Sequence, residues 1–277
     1  MYAAATTWWT VMRIALGERL VYRGDFMLGT LMRFLPIVTQ VFLWWAIFSA
    51  IGGGDAEGTL IKGYRYEDIV AYFLLTMVGR AFSSMPGLSS GIARQVRDGE
   101  IKKYLVQPID FISFLFASRV AHKIAYYAIA TLPFALVFFL CRNFFPEGFP
   151  PPHVFGAFCL SCVLGLLLGF YLETCLGLVS FWFLEISSLL FVYMLFSFFL
   201  SGHMFPLDFL PEPWDTIVSA LPFQYLAYFP AAVFLGKIQG TELAIGLAVE
   251  GAWVVGLFAL SRVLYARGLH RYSGYGG

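Results

Sequence analysis

Six apolar stretches recur along this 277-residue chain, each close to the roughly 20 residues a helix needs to cross a hydrocarbon core. They run Leu31 to Ile51, Tyr66 to Ser84, Val120 to Leu140, Val154 to Thr174, Phe183 to Gly202 and Thr241 to Leu264. In lipid every backbone N–H and C=O must find a partner within the protein, and a helix achieves this inside one segment. The sequence therefore predicts an all-α polytopic membrane protein with six transmembrane helices. A composition of 60% hydrophobic and 13% charged residues lies far from that of soluble domains, and no internal repeat or soluble domain interrupts the pattern. The net charge of +1 supplies no bulk attraction to nucleic acid, so the lipid bilayer is the expected partner and nucleic acid is not.

Lysine and arginine set the orientation, because cations stay on the cytoplasmic side during insertion. Arg13, Arg19, Arg23 and Arg33 precede or open span one, Arg80, Arg94, Arg97, Lys102 and Lys103 fall between spans two and three, and Arg262, Arg267 and Arg271 close or follow span six. The alternate loops hold only Lys62, Arg65, Arg142 and Lys237. Both termini are expected in the cytoplasm, in the cell (inner) membrane. The turn between spans four and five, read around Cys175 to Ser180, is expected to be very tight and carries no cation. Arginines at 13, 19 and 23 interrupt any short apolar leader, so no cleaved signal is expected. Trp8, Met12, Leu16 and Leu20 recur at helical spacing there, which suits an interfacial helix over residues 1–25 or else an ordinary polar leader.

After span five the chain breaks its own apolar pattern. Pro206, Pro211 and Pro213 fall within eight residues, and each removes a backbone donor and clashes with the preceding turn. Trp214, Ile217, Val218, Leu221, Phe223 and Leu226 nevertheless stay apolar. Non-helical backbone at membrane depth persists only where it is buried in protein or lines a cavity. Residues 203–240 are therefore expected to cap or shape an internal space, and that points to a transport route. The chain then reads as one domain, with spans one to five over 31–202, the broken segment, and span six over 241–264.

The loop after span two carries a second signal. Arg94, Arg97, Asp98 and Lys102 recur at helical spacing, Gly99 breaks the run, and a short amphipathic helix from Glu100 would present Ile101, Tyr104 and Leu105 before Pro108 ends it. On periodicity alone a solvated, positively charged loop is the favoured reading. Here the residues resemble a family. Asp98-Gly99-Glu100-Ile101 with Leu105 and Pro108 is similar to the pattern that follows span two in the membrane subunits of type-2 ATP-binding-cassette exporters. Ser180 to Glu185, Gly202 with Phe205-Pro206 and Leu210-Pro211, Leu221-Pro222-Phe223, and Tyr228 to Ala232 leading to Leu235-Gly236 resemble further positions, in the same order.

That resemblance implies a permease subunit without catalytic residues. The loop after span two would form a coupling helix on a separate nucleotide-binding subunit, with Asp98, Gly99, Glu100, Ile101, Leu105 and Pro108 in the contact. Residues 203–240 would form re-entrant extracytoplasmic helices, placing Gly202, Phe205, Pro206, Pro211 and Pro222 at an outer gate. A second copy or a related permease would complete the pathway for an amphipathic, lipid-linked or drug-like substrate. This chain needs no cofactor of its own in that scheme, since ATP and Mg sit on the partner. No glycine-rich phosphate loop is present, and Gly236-Lys237 lacks both the upstream glycine and the following hydroxyl residue.

Ionisable residues in and near the spans stay open in role. Glu185 is expected to pair structurally or to act in coupling, Glu173 and Glu250 are read the same way, and Lys123 and His122 are expected to snorkel to the cytoplasmic face. Phe191, Phe196, Phe198 and Phe199 either line a path or face lipid. Cys159 and Cys162 lack a second ligand pair, so packing is expected and a metal is not. A secondary transporter or channel would pair broken helices across an internal repeat. A lipid-modifying enzyme would cluster its catalytic groups, whereas His122, His153, His203 and His270 are scattered.

Overall fold

In a computed structural model of the protein, which describes residues 34–53, 58–146 and 148–272 with residues 10, 29 and 32, each apolar stretch is helical. Proline, glycine and short polar side chains set the ends. Helix α1 (Leu35–Ile51) starts with Pro36 in its first turn, where a missing N–H costs no intrahelical bond. Helix α2 (Tyr66–Ser83) has Glu67 and Asp68 in its first turn, against the positive end of its dipole. A break at residues 84–87 follows, and Gly87, at φ +72°, opens α3 (Leu88–Arg97). A single turn, α4 (Lys102–Leu105), leads to α5 (Phe111–Leu140), which Asp110 caps by accepting the Ser113 N–H at 2.8 Å.

Helix α6 (Pro152–Leu178) continues through a 3-10 turn to Phe181, and α7 (Ser187–Leu200) follows. The proline-broken segment folds as short pieces: 3-10 turns at Leu207–Phe209 and Pro222–Leu226, and helices α8 (Trp214–Ser219) and α9 (Tyr228–Phe234). Helix α10 (Gly240–Arg271) closes the chain. The described residues form helices and loops, with one isolated antiparallel bridge between Ile61 and Tyr64. Among the described residues four segments are long and apolar enough to cross a membrane: Tyr66–Arg97, Phe111–Leu140, Pro152–Phe181 and Gly240–Arg271. Helices α1 and α7, of 17 and 14 residues, reach only about 26 and 21 Å at 1.5 Å per residue, short of a core of about 30 Å.

Several sequence expectations change. The proposed interfacial helix over 1–25 lies outside the described residues, apart from Thr10. Span two ends as expected, with Arg80 in the last turn of α2, and after the break at 84–87 the amphipathic α3 continues the helical segment to Arg97. The turn between spans four and five is not at Cys175 to Ser180, which stays helical, but at 182–186. Gly177 does not break the helix; it permits close packing, since a Cβ there would lie 2.8 Å from the Ile92 Cβ. Capping by Asp110 starts the third long helix nine residues before the expected Val120. Lys123 consequently sits inside that helix and is buried, at 6% exposure, instead of snorkelling outward.

The chain divides into two compact units, Met1–Ala71 with Tyr104–Pro146 and Tyr72–Lys103 with Glu147–Gly277. In the first, the Tyr66 hydroxyl donates to the Val41 carbonyl at 3.3 Å, and its ring packs edge-on against Phe48 and Phe144. The Phe34 and Phe134 rings meet at 4.9 Å.

In the second unit α6 is the central rod, and small residues at intervals of four let its neighbours approach. Ser161, Gly165, Gly169 and Gly177 follow this spacing, with Glu173 at the fourth position. A Cβ on Gly169 would overlap the Ser83 carbonyl, and one on Gly165 would stand 3.1 Å from the Tyr225 carbonyl oxygen. Such stripes bring helices together in lipid, where packing and hydrogen bonds replace the hydrophobic effect as the attraction between helices. Glu173 accepts a hydrogen bond from the Ser89 hydroxyl at 3.2 Å. Glu250 of α10 is fully buried near Ser161, and among the described residues neither carboxylate oxygen has a hydrogen-bond partner.

Candidate functional site

Three places concentrate unusual backbone or charge. The first is the helix end at Gly99. Its φ of +76° lies in the left-handed region, which glycine enters without steric cost. The Gly99 N–H donates to the Val96 carbonyl at 3.3 Å and the Ile101 N–H reaches back to Gln95 at 3.1 Å, so α3 ends in a hydrogen-bonded turn. Asp98 and Glu100 stand exposed, the first against Arg97 at 3.3 Å and the second against Lys103 at 2.9 Å. Pro108 is exposed, and Leu105 is 45% exposed. Ile101 differs from the expectation that it is presented: it is fully buried and anchors the turn from inside. The adjacent Val106, passed over in the sequence, is 84% exposed.

Glu185 belongs to the same neighbourhood. Its carboxylate accepts from the Ser187 N–H at 2.9 Å and from the Ser187 hydroxyl, and it meets Arg97 at 3.4 Å. The Ser187 hydrogen bonds, with Arg97 nearby, hold its carboxyl below the usual carboxylate range. Glu185 thus pairs with α3, and it shapes the first turn of α7.

The second place surrounds Gly202, at φ +75°. Its carbonyl accepts from the Tyr72 hydroxyl, and a Cβ would lie 2.6 Å from that hydroxyl and 2.7 Å from the Tyr228 Cβ. The Tyr228 N–H donates to the Ser201 carbonyl at 2.9 Å, while its hydroxyl donates to Asp208 at 2.6 Å. Burial, with the Asp208 carboxylate adding to it, raises the Tyr228 phenol well above its usual value and keeps it a donor. Pro206 and Pro222 are buried and Phe205 is half-buried, whereas Pro211 is exposed and does not share their packing. Tyr72 went unread in the sequence. A phenol inside an apolar span requires a partner, and that requirement was the available signal.

The third place is a cavity of about 410 Å³ beside the break after α2, lined by Arg80, Ser84, Ser90, Glu173, Tyr193 and Phe191 among others. The Arg80 guanidinium donates to the Ser197 hydroxyl at 3.3 Å. A second cavity of about 390 Å³ lies against Arg94, Arg97, Glu185 and Ser187. Both cavities are lined by Gly87, Ser90 and Leu190, so they adjoin. Phe191, Phe196, Phe198 and Phe199 are 39–57% exposed along α7. Cys162 is buried and Cys159 exposed on α6.

Among protein families, the one described as ABC-2 family transporter protein matches residues 34–276 of the chain. No curated protein matches it.

Proposed function

The chain belongs to the ABC-2 transporter family, a family of multi-pass membrane proteins that work with ATP-binding subunits, and we propose that it is the permease subunit of an ATP-driven exporter. The observation that supports this reading most is the cavity beside Arg80: a mainly apolar space holding an arginine, a glutamate and serines, at the interruption of a segment long and apolar enough to span the membrane. In this reading all six apolar helices cross, the short α1 and α7 being extended by flanking chain or met by local thinning of the bilayer. Both termini are cytoplasmic, and the pieces over 203–240 re-enter the outer leaflet. The partner subunit carries ATP and Mg and the chain itself holds no catalytic group. A second copy or a related permease completes the path, and the exposed phenylalanines of α7 give it an apolar surface to meet.

Two sites share the work. Asp98, Gly99 and Glu100 form a docking surface for the ATP-binding subunit, with Ile101 fixing its shape from beneath, and the exposed Leu105, Val106 and Pro108 that follow in the chain are further contacts for that subunit. Gly202, Phe205, Pro206 and Pro222 form the outer closure, with Pro211 at its rim. ATP-bound and ATP-free partner then bias inward and outward forms through their different fit to the docking surface.

An ATP-binding subunit is expected to co-purify with the chain in fixed stoichiometry. Flux driven by an ion gradient through the chain alone would overturn the reading. The topology has its own test. After replacement of the native cysteines Cys141, Cys159, Cys162 and Cys175, single cysteines at Gly58 and Gly148 are expected to react with an impermeant maleimide in intact cells. One at Val106 should react only after permeabilisation, and external labelling there would remove the docking surface from the cytoplasm.

A further inference from the structure

We propose that the groove formed by the two adjoining cavities binds the anionic head of an amphiphile, a phosphate or carboxylate carried on a hydrocarbon tail, with Arg80 as its deep ligand. The proposal rests on the permease reading and deepens it by naming a substrate class.

Arg80 lies in the last turn of α2, inside the membrane-length segment Tyr66–Arg97. A guanidinium at such depth is costly unless paired or facing a polar cavity, and for that reason intramembrane cations mark substrate routes. Arg80 has the cavity, and its hydrogen bond to the Ser197 hydroxyl at 3.3 Å leaves most of its five donors uncommitted among the described residues. The planar fork fits a phosphate or carboxylate through two parallel hydrogen bonds. Serines at 83, 84, 89, 90 and 197 line the same cavity; Ser83 and Ser89 give their O–H to Leu226 and Glu173, which leaves Ser84 and Ser90 to supply further hydroxyl donors.

Two acids also line the groove, and each is engaged. Glu173 takes the Ser89 hydroxyl and acts on Arg80 electrostatically, so an arriving anion shares the guanidinium with it. Glu185 is held by Ser187 and Arg97. In the half of the groove nearer the end of α3, Arg94 is exposed and has no ion pair among the described residues. Cations therefore line both halves of the groove, Arg94 and Arg97 in one and Arg80 in the other, with Gly87, Ser90 and Leu190 common to both. The outer wall suits the tail, since Phe191 and Met194 line the deep cavity and remain 57% and 56% exposed.

Binding to the full chain in phosphatidylcholine nanodiscs, without ATP or partner, tests the proposal separately from coupling. A failure to stimulate ATPase leaves it standing, while a failure to bind removes it without touching the permease reading. The probes are oleoyl lysophosphatidic acid, the uncharged monooleoylglycerol with the same tail, and inorganic phosphate, followed by microscale thermophoresis. The lysophosphatidic acid is expected to bind about tenfold tighter than the glyceride, a factor matching one charge-assisted contact. Millimolar inorganic phosphate should not displace it. Arg80→Gln should abolish the preference and Arg80→Lys should retain part of it. Should Arg80→Gln fail to fold, the exposed Arg94→Gln decides: weaker binding of the charged probe with the glyceride unchanged supports the groove. Equal affinity for both amphiphiles, a preference that survives both glutamine variants, or full displacement by inorganic phosphate would each overturn it.

Discussion

Gly202→Val is expected to destabilise the protein by about 3 kcal/mol, combining the cost of about 1–2 kcal/mol for a side chain in the left-handed region with that of overpacking. The site allows no escape. A Cβ would lie 2.6 Å from the Tyr72 hydroxyl and 2.7 Å from the Tyr228 Cβ, and both neighbours are themselves fixed by hydrogen bonds. Relief requires the Tyr72 bond to the Gly202 carbonyl to break, which frees the end of α7 from α2. Thermal unfolding in detergent reads the loss, and Gly148→Val separates its two causes. Gly148 has a similar φ of +70° with nothing within 4 Å of the position a Cβ would take, so only the backbone cost of about 1 kcal/mol applies there. Equal destabilisation of the two variants would show that the tyrosine pocket is not tight and that the outer closure is loosely packed.

Gly99→Pro should act in the opposite manner, sparing the fold and stopping the machine. Proline is held near φ −65° and has no N–H, yet position 99 sits at +76° and donates to Val96. The turn between α3 and α4 must therefore rebuild. Because the surrounding Asp98, Glu100, Leu105 and Val106 are exposed, the disruption stays local, and abundance and melting should remain near parental. ATP turnover by the complex should fall to that of the ATP-binding subunit alone. Paired Asp98→Ala and Glu100→Ala changes are the milder form. Exposed ion pairs contribute under about 1 kcal/mol, so any loss of turnover from that pair reports docking and not stability. Parental turnover in a well-expressed Gly99→Pro protein would be strong evidence against this turn as the transmission element.

The helices were legible because crossing lipid demands length and apolarity, both of which are local properties of a sequence. Their ends were less so. Asp110 lies outside the apolar run it caps, and Gly177 looks like a breaker until the Ile92 side chain is seen filling the space where its Cβ would be. Arg80 was legible near the end of its apolar window, but the cavity it faces was not, because residues from α3, α6 and α7 line it. The turn at Gly99 was readable from one glycine among charges. That Ile101 points inward was not, since an aliphatic residue suits either face of a one-turn helix. The contact between Tyr72 and Gly202 joins residues 130 positions apart, and no local pattern announces it.

The spacing of small residues along α6 has a consequence for how this protein can change over generations. Steps of four residues advance about 40° around a helix of 3.6 residues per turn, so the seam from Ser161 to Gly177 winds almost halfway around the rod. Each neighbour, Glu250 and Tyr225 at one end, Ser83 midway, Ser89 and Ile92 at the other, meets α6 at its own angle as well as its own height. One inserted or deleted residue after Gly165 would turn everything beyond it by about 100°, pointing bulky side chains at the Ser83 carbonyl and at Ile92 together. Substitutions on the outward face of α6, at Leu160 or Val163, are free to drift. The number of residues between Ser161 and Gly177 is not, and a change in length is expected to be tolerated only in connections such as residues 141–151.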